Sequence, residues 1–419
     1  MKSITEFKIE QWIDDNMPKT KVWLGGSTVG ILSLSQLKDL APKAAANTND
    51  DLPPLIDPDL ALSYGTPAGS LRLRERIAQL HSSPDTGVRL TADNVIITPG
   101  SIMANYLVLS TLAGPGDHVI CQHPTFTQLW EIPKIQGAEL TLWRMKPEND
   151  WKVDLDDLKT LIRPNTKAII INNPNNPTGS VIPTSTLKSL IAIASTNKIT
   201  LFSDEVFSPL FHSSTQTVSP LVSLLPPYYP HAISTGSLSK SFSLPGIRIG
   251  WVVSPSTTLL RNITRAHQYT TISVSRIDDG VAAFALSPEV YPALVERNLK
   301  ICRANIDVVR EFVERNSGRK KRVEWVEPKG ASTAWVRILD GNGKPVDDKK
   351  FCEELVSETG VCFLPGAHCF GNGEGDLKGY VRIVIGVEDP EVLRNGLKVL
   401  EGFLNKVTQH QRMSAKSKI

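Results

Sequence analysis

The chain has 419 residues, is 41% hydrophobic and carries a formal net charge of +3. That length suits one large domain plus a smaller one, and the weak positive charge, with no basic block interleaved with aromatics, argues against nucleic acid as a partner. Five cysteines, Cys121, Cys302, Cys352, Cys362 and Cys369, are scattered without the spacing that would hold zinc, and no run approaches the roughly 20 apolar residues of a membrane span.

The N-terminal residues, rich in Glu and Asp and without a signal-like apolar run, predict a helix over residues 7–14. A loop follows, Gly25-Gly26-Ser27-Thr28-Val29-Gly30, then a connection containing Pro53, Pro54 and Pro58 that leads into the main domain. Tyr64-Gly65-Thr66-Pro67-Ala68-Gly69 precedes a helix whose apolar positions are Leu71, Leu73, Ile77 and Leu80. Residues 94–112 read strand, turn, helix. Pro99-Gly100-Ser101 forms the turn, which leaves helix-start N–H groups free for an anion. Another strand ends at His123-Pro124-Thr125-Phe126, where the aromatic is by default a packed loop residue.

A helix over 154–162 leads into Ala168-Ile169-Ile170-Ile171-Asn172, whose unbroken apolar run suits a strand buried on both faces of a parallel sheet. Asn173-Pro174-Asn175-Asn176-Pro177-Thr178-Gly179 follows it directly. After a helix over 185–196, the strand 199–203 delivers Asp204-Glu205-Val206-Phe207, placing a carboxylate at the strand end where α/β sheets bind ligands. Ser237-Leu238-Ser239-Lys240-Ser241 then sets a lysine among hydroxyls, with Gly246 and Arg248 close behind. A lysine in a turn is ordinarily a solvated charge. Hydroxyl donors, a fixed cation and a glycine that admits close backbone approach instead suit a phosphorylated carbonyl cofactor, and desolvation with nearby cations would lower the lysine pKa to give a neutral nucleophile.

The stretch 252–286 includes His267-Gln268-Tyr269-Thr270-Thr271, to which no use is assigned. One long amphipathic helix is expected over 288–316, bridging two domains. Strand-like and helical segments then alternate to residue 406, among them Val381-Arg382-Ile383, before a closing helix over 390–405. Residues 407–419 read as a flexible basic tail. Its Ser417-Lys418-Ile419 end is a near match to the peroxisomal Ser-Lys-Leu address; otherwise a cytoplasmic protein is expected.

The lysine stretch, Asn-Pro-Thr-Gly and Asp-Glu-Val resemble, in order and spacing, the motifs of class I/II aminotransferases, the fold-type I enzymes that use pyridoxal 5'-phosphate (PLP). The resemblance spans about residues 64 to 385. It implies an α/β protein: a large domain (51–290) with a mostly parallel seven-stranded sheet, and a small α+β domain built from the N-terminal arm (1–50) and residues 291–406. It also implies that Lys240 carries the cofactor as a Schiff base and removes the substrate's α-proton, and that Asp204 pairs with the pyridine nitrogen. Asn176 would bond the phenolic oxygen, and Phe126 would stack on the ring. Ser101, Ile102, Ser237, Ser239 and Arg248 would hold the phosphate, with Tyr64 reaching the phosphate of a neighbouring subunit in a homodimer. Arg382 would clamp the substrate α-carboxylate. L-amino acids and keto acids are the implied substrates, exchanged through pyridoxamine phosphate, and no metal is implied.

Two departures stand out. The family's Gly-x-Pro turn near the arm has no proline here, and the tyrosine three residues after the aspartate is Phe207, which lacks the hydroxyl donor. Loss of that donor is expected to raise the pKa of the Schiff base or to change the handling of what forms from it. The arm with Trp12, and the run 122–129, are similar to capreomycidine synthase-like members, which work by elimination and addition. Transamination is the first reading; elimination or replacement, including carbon–sulfur lysis, is the alternative. A non-catalytic aminotransferase-like module is the remote one.

Overall fold

The computed structural model describes residues 5–42, 54–213, 218–226, 229–318, 322–373, 375 and 377–416. Pro53, the boundary expected near residue 50 and the Ser417-Lys418-Ile419 end lie outside the described residues.

Its strands, in chain order, are β1 (Val22–Trp23), β2 (Val95–Pro99), β3 (His118–His123), β4 (Glu139–Arg144), β5 (Thr166–Asn172), β6 (Thr200–Asp204), β7 (Ala232–Ser237), β8 (Ile249–Val253), β9 (Val323–Trp325), β10 (Thr333–Ile338), β11 (Val361–Cys362), β12 (Leu364–Pro365) and β13 (Tyr380–Val384). Seven of them form one sheet in the order β2-β8-β7-β6-β5-β3-β4. Only β8 runs against its neighbours; the other pairings are parallel. The mostly parallel seven-stranded sheet expected from the sequence is therefore present.

Side-chain alternation along β5 shows why the apolar run reads as doubly buried. Ile169 and Ile171 enter one apolar cluster, Ala168 and Ile170 the other, one on each face of the sheet. The helix Gly100–Leu112 covers the second face with Ala104, Leu107 and Val108. A second sheet, β12-β13-β10-β9, is antiparallel and shares a separate core with the helices Tyr291–Asn316 and Pro390–Lys416. The N-terminal arm joins this core through Ile9, Trp12 and Leu24 and through the β1–β11 pairing.

Several boundaries differ from expectation. The long helix starts at Tyr291 rather than residue 288, because Pro292 is accommodated in its first turn. The stretch 252–286 contains two helices, Thr257–Gln268 and Arg276–Ala285, each opened by a serine whose hydroxyl accepts a backbone N–H. The last helix continues to Lys416, where a tail from residue 407 was expected.

Candidate active site

The functional side chains lie where strands of the large sheet end and where β13 of the small sheet meets the N-terminal arm. Asp204, the last residue of β6, is 2% exposed. Its Oδ2 accepts from Asn105 Nδ2 at 2.9 Å and its Oδ1 from the Val206 N–H at 3.0 Å. Asn105 is fixed in turn by the Thr235 hydroxyl, which donates to its Oδ1 at 2.7 Å. Burial nevertheless pushes the Asp204 pKa up to about 6, against these hydrogen bonds and the Lys240 charge. A buried carboxylate so placed calls for a protonated partner.

That shift has a stability consequence of definite sign. The folded pKa lies above the ordinary aspartate value of 3.8, so the ionised group opposes folding above about pH 6, and the effect fades below about pH 4. Asp204→Asn should therefore stabilise the cofactor-free protein by roughly 1–3 kcal/mol at pH 8 and by much less at pH 4. Urea unfolding at the two pH values checks this. A variant no more stable than the wild type at pH 8 would contradict it.

Lys240 follows β7. Burial lowers its pKa to about 8, assisted by the charges of Arg382 and Arg248 and opposed by those of Glu10 and Asp204. Such an amine gives up its proton far more readily than an ordinary lysine, and in its neutral form can attack a carbonyl carbon. Its loop is pinned on both sides: the Ser241 hydroxyl donates to the Val206 carbonyl at 3.0 Å, and Asn298 Nδ2 donates to the Ser241 carbonyl at 2.8 Å.

Beside the lysine lies an anion cradle. Gly100 opens its helix with φ +74°, and a Cβ there would stand 2.5 Å from Arg248 Nη2. The guanidinium thus rests directly over backbone that only glycine leaves open. The N–H groups of Ser101 and Ile102 belong to the first turn of this helix, at its positive end. Ser237 and Ser239 complete the wall, with hydroxyls 2.8 Å apart and Arg248 Nη1 3.5 Å from Ser239 Oγ. Gly250 packs against the same turn: a Cβ on it would meet Gly100 C at 2.4 Å and Ser101 N at 2.5 Å. Both obstacles are backbone, so Gly250→Ala should cost about 1–3 kcal/mol of stability and weaken anion binding together. Urea unfolding and phosphate-ester titration measure the two effects.

Arg382 is the central residue of β13, paired to Trp335 on one side and Leu364 on the other. It is 4% exposed. Nε and Nη2 donate to the Gly25 carbonyl at 3.2 and 2.6 Å, and Nη1 donates to Asn176 Oδ1 at 3.2 Å. Its guanidinium carbon lies 5.5 Å from the centre of the Phe370 ring. Burial lowers its pKa to about 10, so it stays charged at neutral pH. Asn176 is itself held by its own N–H, which donates to Asn172 Oδ1 at 2.6 Å, and Asn172 Nδ2 donates to the Asp204 carbonyl at 2.9 Å. Arg382, Asn176 and the Asp204 backbone are thereby one connected unit.

Phe126 packs edge-on against Phe7 at 5.6 Å, between the apolar clusters of the two sheets. Phe207 is 1% exposed and packs with Val206 and Ala331. Glu205 points elsewhere: its Oε1 accepts the Leu221 N–H at 2.8 Å, and its Oε2 lies 3.8 Å from His81 Nε2. Tyr64 stands apart from this group. It is 85% exposed and lines a cleft of about 510 Å³ with Arg72 and Arg276, in which none of the other predicted site residues takes part.

Sequence reading missed Asn105, Thr235 and the Gly25 carbonyl. Asn105 carried a signal, being a polar residue among Ala104, Leu107 and Val108 on the buried helix face. A main-chain carbonyl leaves no trace in residue type.

An anion cradle, a desolvated lysine and a buried carboxylate, all at strand ends of one sheet, define a site for a phosphorylated carbonyl cofactor, and the residues present fit PLP. The comparisons agree. The family model described as "Aminotransferase class I and II" matches residues 28–400, and the chain belongs to that family, with PLP as its cofactor. It is similar to aspartate aminotransferase from Pyrococcus horikoshii, 30% identical over 76% of this chain and 78% of the relative. It is likewise similar to capreomycidine synthase from Streptomyces vinaceus, 29% identical over 87% of each chain. Among solved structures, a PLP-dependent aminotransferase from Streptococcus suis superposes with a TM-score of 0.82 at 32% identity, covering 97% of this chain and 99% of that one.

Proposed function

We propose that this protein acts at the α-carbon of an L-amino acid and transfers its amino group to a keto acid. The observation that carries the reading is the hydrogen-bonded unit that joins the buried Arg382 fork through Asn176 and Asn172 to the end of β6 at Asp204, with a buried lysine, Lys240, following the neighbouring strand. PLP, when bound, supplies an aldehyde that condenses with amines and a ring that accepts the electron pair left on the α-carbon. Arg382 binds the α-carboxylate through its fork, exchanging part of its bonding to Gly25 for the substrate. Lys240 Nζ, near neutrality, takes the α-proton. Asp204, held by Asn105 and the Val206 N–H, presents a carboxylate to the cofactor ring. Asn176 bridges the clamp to the loop after β5, fixing substrate and ring relative to each other.

A half-reaction tests this. The loaded protein is mixed with a panel of L-amino acids and no keto acid. One equivalent of keto acid per site, followed by arrest until a keto acid is added, is expected. Continuing release of ammonia, thiol or a cyclised product would instead place the protein with eliminating enzymes. Phe207 in place of a hydroxyl donor, and the likeness to capreomycidine synthase, favour that second reading.

The active unit in this reading is a homodimer in which Tyr64 completes the partner's phosphate site. Leu62, Tyr64, Tyr269 and Ile272 are 79%, 85%, 94% and 51% exposed, and burial of such side chains would favour association. Sedimentation should give a dimer, and Tyr64→Phe should weaken PLP binding about tenfold, as expected for one lost hydrogen bond to a charged group. A monomer whose PLP affinity is unchanged by the substitution would exclude the shared site.

A further inference from the structure

The long helix Tyr291–Asn316 runs from one core to the other. Leu294 packs in the cluster that holds Ile169 and Ile171 of the large sheet, and Cys302, about two turns along, packs in the core of the small sheet. Asn298 lies midway on the same buried stripe, four residues from each, where an apolar side chain would continue the packing. A buried amide is costly unless both of its ends are bonded. Here both are. Nδ2 donates to the Ser241 carbonyl at 2.8 Å, one residue beyond Lys240, and Oδ1 accepts from Arg297 Nη1 at 2.7 Å.

Arg297 carries the connection onward. Its Nη1 also donates to the Gly30 carbonyl at 3.1 Å, and its Nη2 donates to Glu388 Oε1 at 2.9 Å. Gly30 belongs to the arm loop whose Gly25 carbonyl holds Arg382, and Glu388 follows β13, the strand that carries Arg382. The Gly30 N–H in turn donates to the Gly386 carbonyl at 2.8 Å, tying the loop to the end of that strand. The junction has little slack: a Cβ on Gly30 would stand 3.0 Å from Glu388 Cβ and 3.2 Å from Arg297 Nη2. A main-chain bond, from the Leu32 N–H to the Ser243 carbonyl at 3.1 Å, joins arm and lysine loop directly, and Asn298 and Arg297 add a side-chain route through the helix. We propose that Asn298, acting with Arg297, is a positioning residue that holds Lys240 in register with the Arg382 clamp. A carboxylate gripped by Arg382 brings its α-proton to Lys240 only if the two segments keep a fixed separation, and a displacement on the order of 1 Å can cost about 100-fold in rate. This rests on the reading of Arg382 as the carboxylate clamp and Lys240 as the base.

The test uses the PLP-loaded wild type, Asn298→Leu, Arg297→Gln and the variant carrying both. Loss of the α-hydrogen from a saturating L-amino acid, followed by NMR in deuterated water, should slow about 10–100-fold in each single variant. Binding of the α-methyl analogue of that amino acid, which has no α-proton to lose, should weaken less than about threefold, since Arg382 keeps its bonds to Gly25 and Asn176. The double variant should lie within about twofold of the slower single one, because the two residues make one connection. In the cofactor-free protein, Arg297→Gln should also speed amide hydrogen exchange in the lysine loop, which it reaches through Asn298. The Arg297 side chain is partly exposed, so this variant decides the matter even where Asn298→Leu does not fold. Single variants within about twofold of the wild-type rate, losses that multiply in the double variant, or analogue binding that falls as far as the rate would overturn the positioning role and leave the amino-acid site standing. A wild type that neither removes an α-hydrogen nor binds the analogue overturns both.

Discussion

Lys240→Ala should lower the rate of the amino-acid half-reaction by at least about 10⁴-fold, because one side chain supplies both the amine that holds the cofactor and the base that takes the α-proton. Arg248, the Gly100 turn and Ser239 remain, so PLP should still bind noncovalently through its phosphate. Borohydride should fix the cofactor to the wild type at Lys240, found by peptide mass spectrometry, and not to the variant. Added methylamine should restore part of the lost rate if the missing function is proton transfer. A variant retaining more than about 1% of the wild-type rate would mean that another group is the base.

Arg382→Ala should raise the KM for amino acids by about 100-fold or more while changing PLP affinity only a few-fold. A buried fork bonded to a carboxylate contributes on the order of 2–5 kcal/mol to binding, and the Arg382 hydrogen bonds go to Gly25 and Asn176 rather than to residues of the phosphate cradle. Arg382→Lys keeps the charge but loses the fork, and should recover only a minor part. The alanine variant also leaves the Gly25 carbonyl and Asn176 Oδ1 without their donor. Their combined desolvation should lower stability by about 1–3 kcal/mol, visible in urea unfolding. Removing a neighbouring cation should raise the Lys240 pKa above about 8 in the cofactor-free protein, a shift readable from the pH dependence of lysine acetylation. An unchanged KM would remove Arg382 from the substrate site.

Much of this architecture was legible in the residues. The apolar run 168–172 announced a doubly buried strand, and the lysine, aspartate and asparagine motifs each sit at a strand end because parallel strands deliver their last side chains to one edge. Less legible were features fixed by contacts between distant segments. The Gly25–Gly30 loop reads as missing a familiar proline, yet its Gly25 carbonyl is what holds Arg382. The end of the last helix was misplaced because residues 407–416 are polar and basic, a composition that marks solvent exposure but does not forbid helix. The lowered pKa of Lys240 was expected from its neighbours, but the raised pKa of Asp204 and the size of both shifts depend on burial, which no local pattern encodes.

The bonds from Arg382 to the Gly25 carbonyl span 357 residues. On a ribosome, the large sheet and its lysine emerge and can fold well before residue 382 has been added. At about 5–20 residues per second, the interval between Lys240 and Arg382 lasts on the order of ten seconds or more. During that time the nascent protein has the means to capture PLP and none to grip a substrate carboxylate. The order of synthesis thus places the lysine and the anion cradle in the chain well before the substrate clamp.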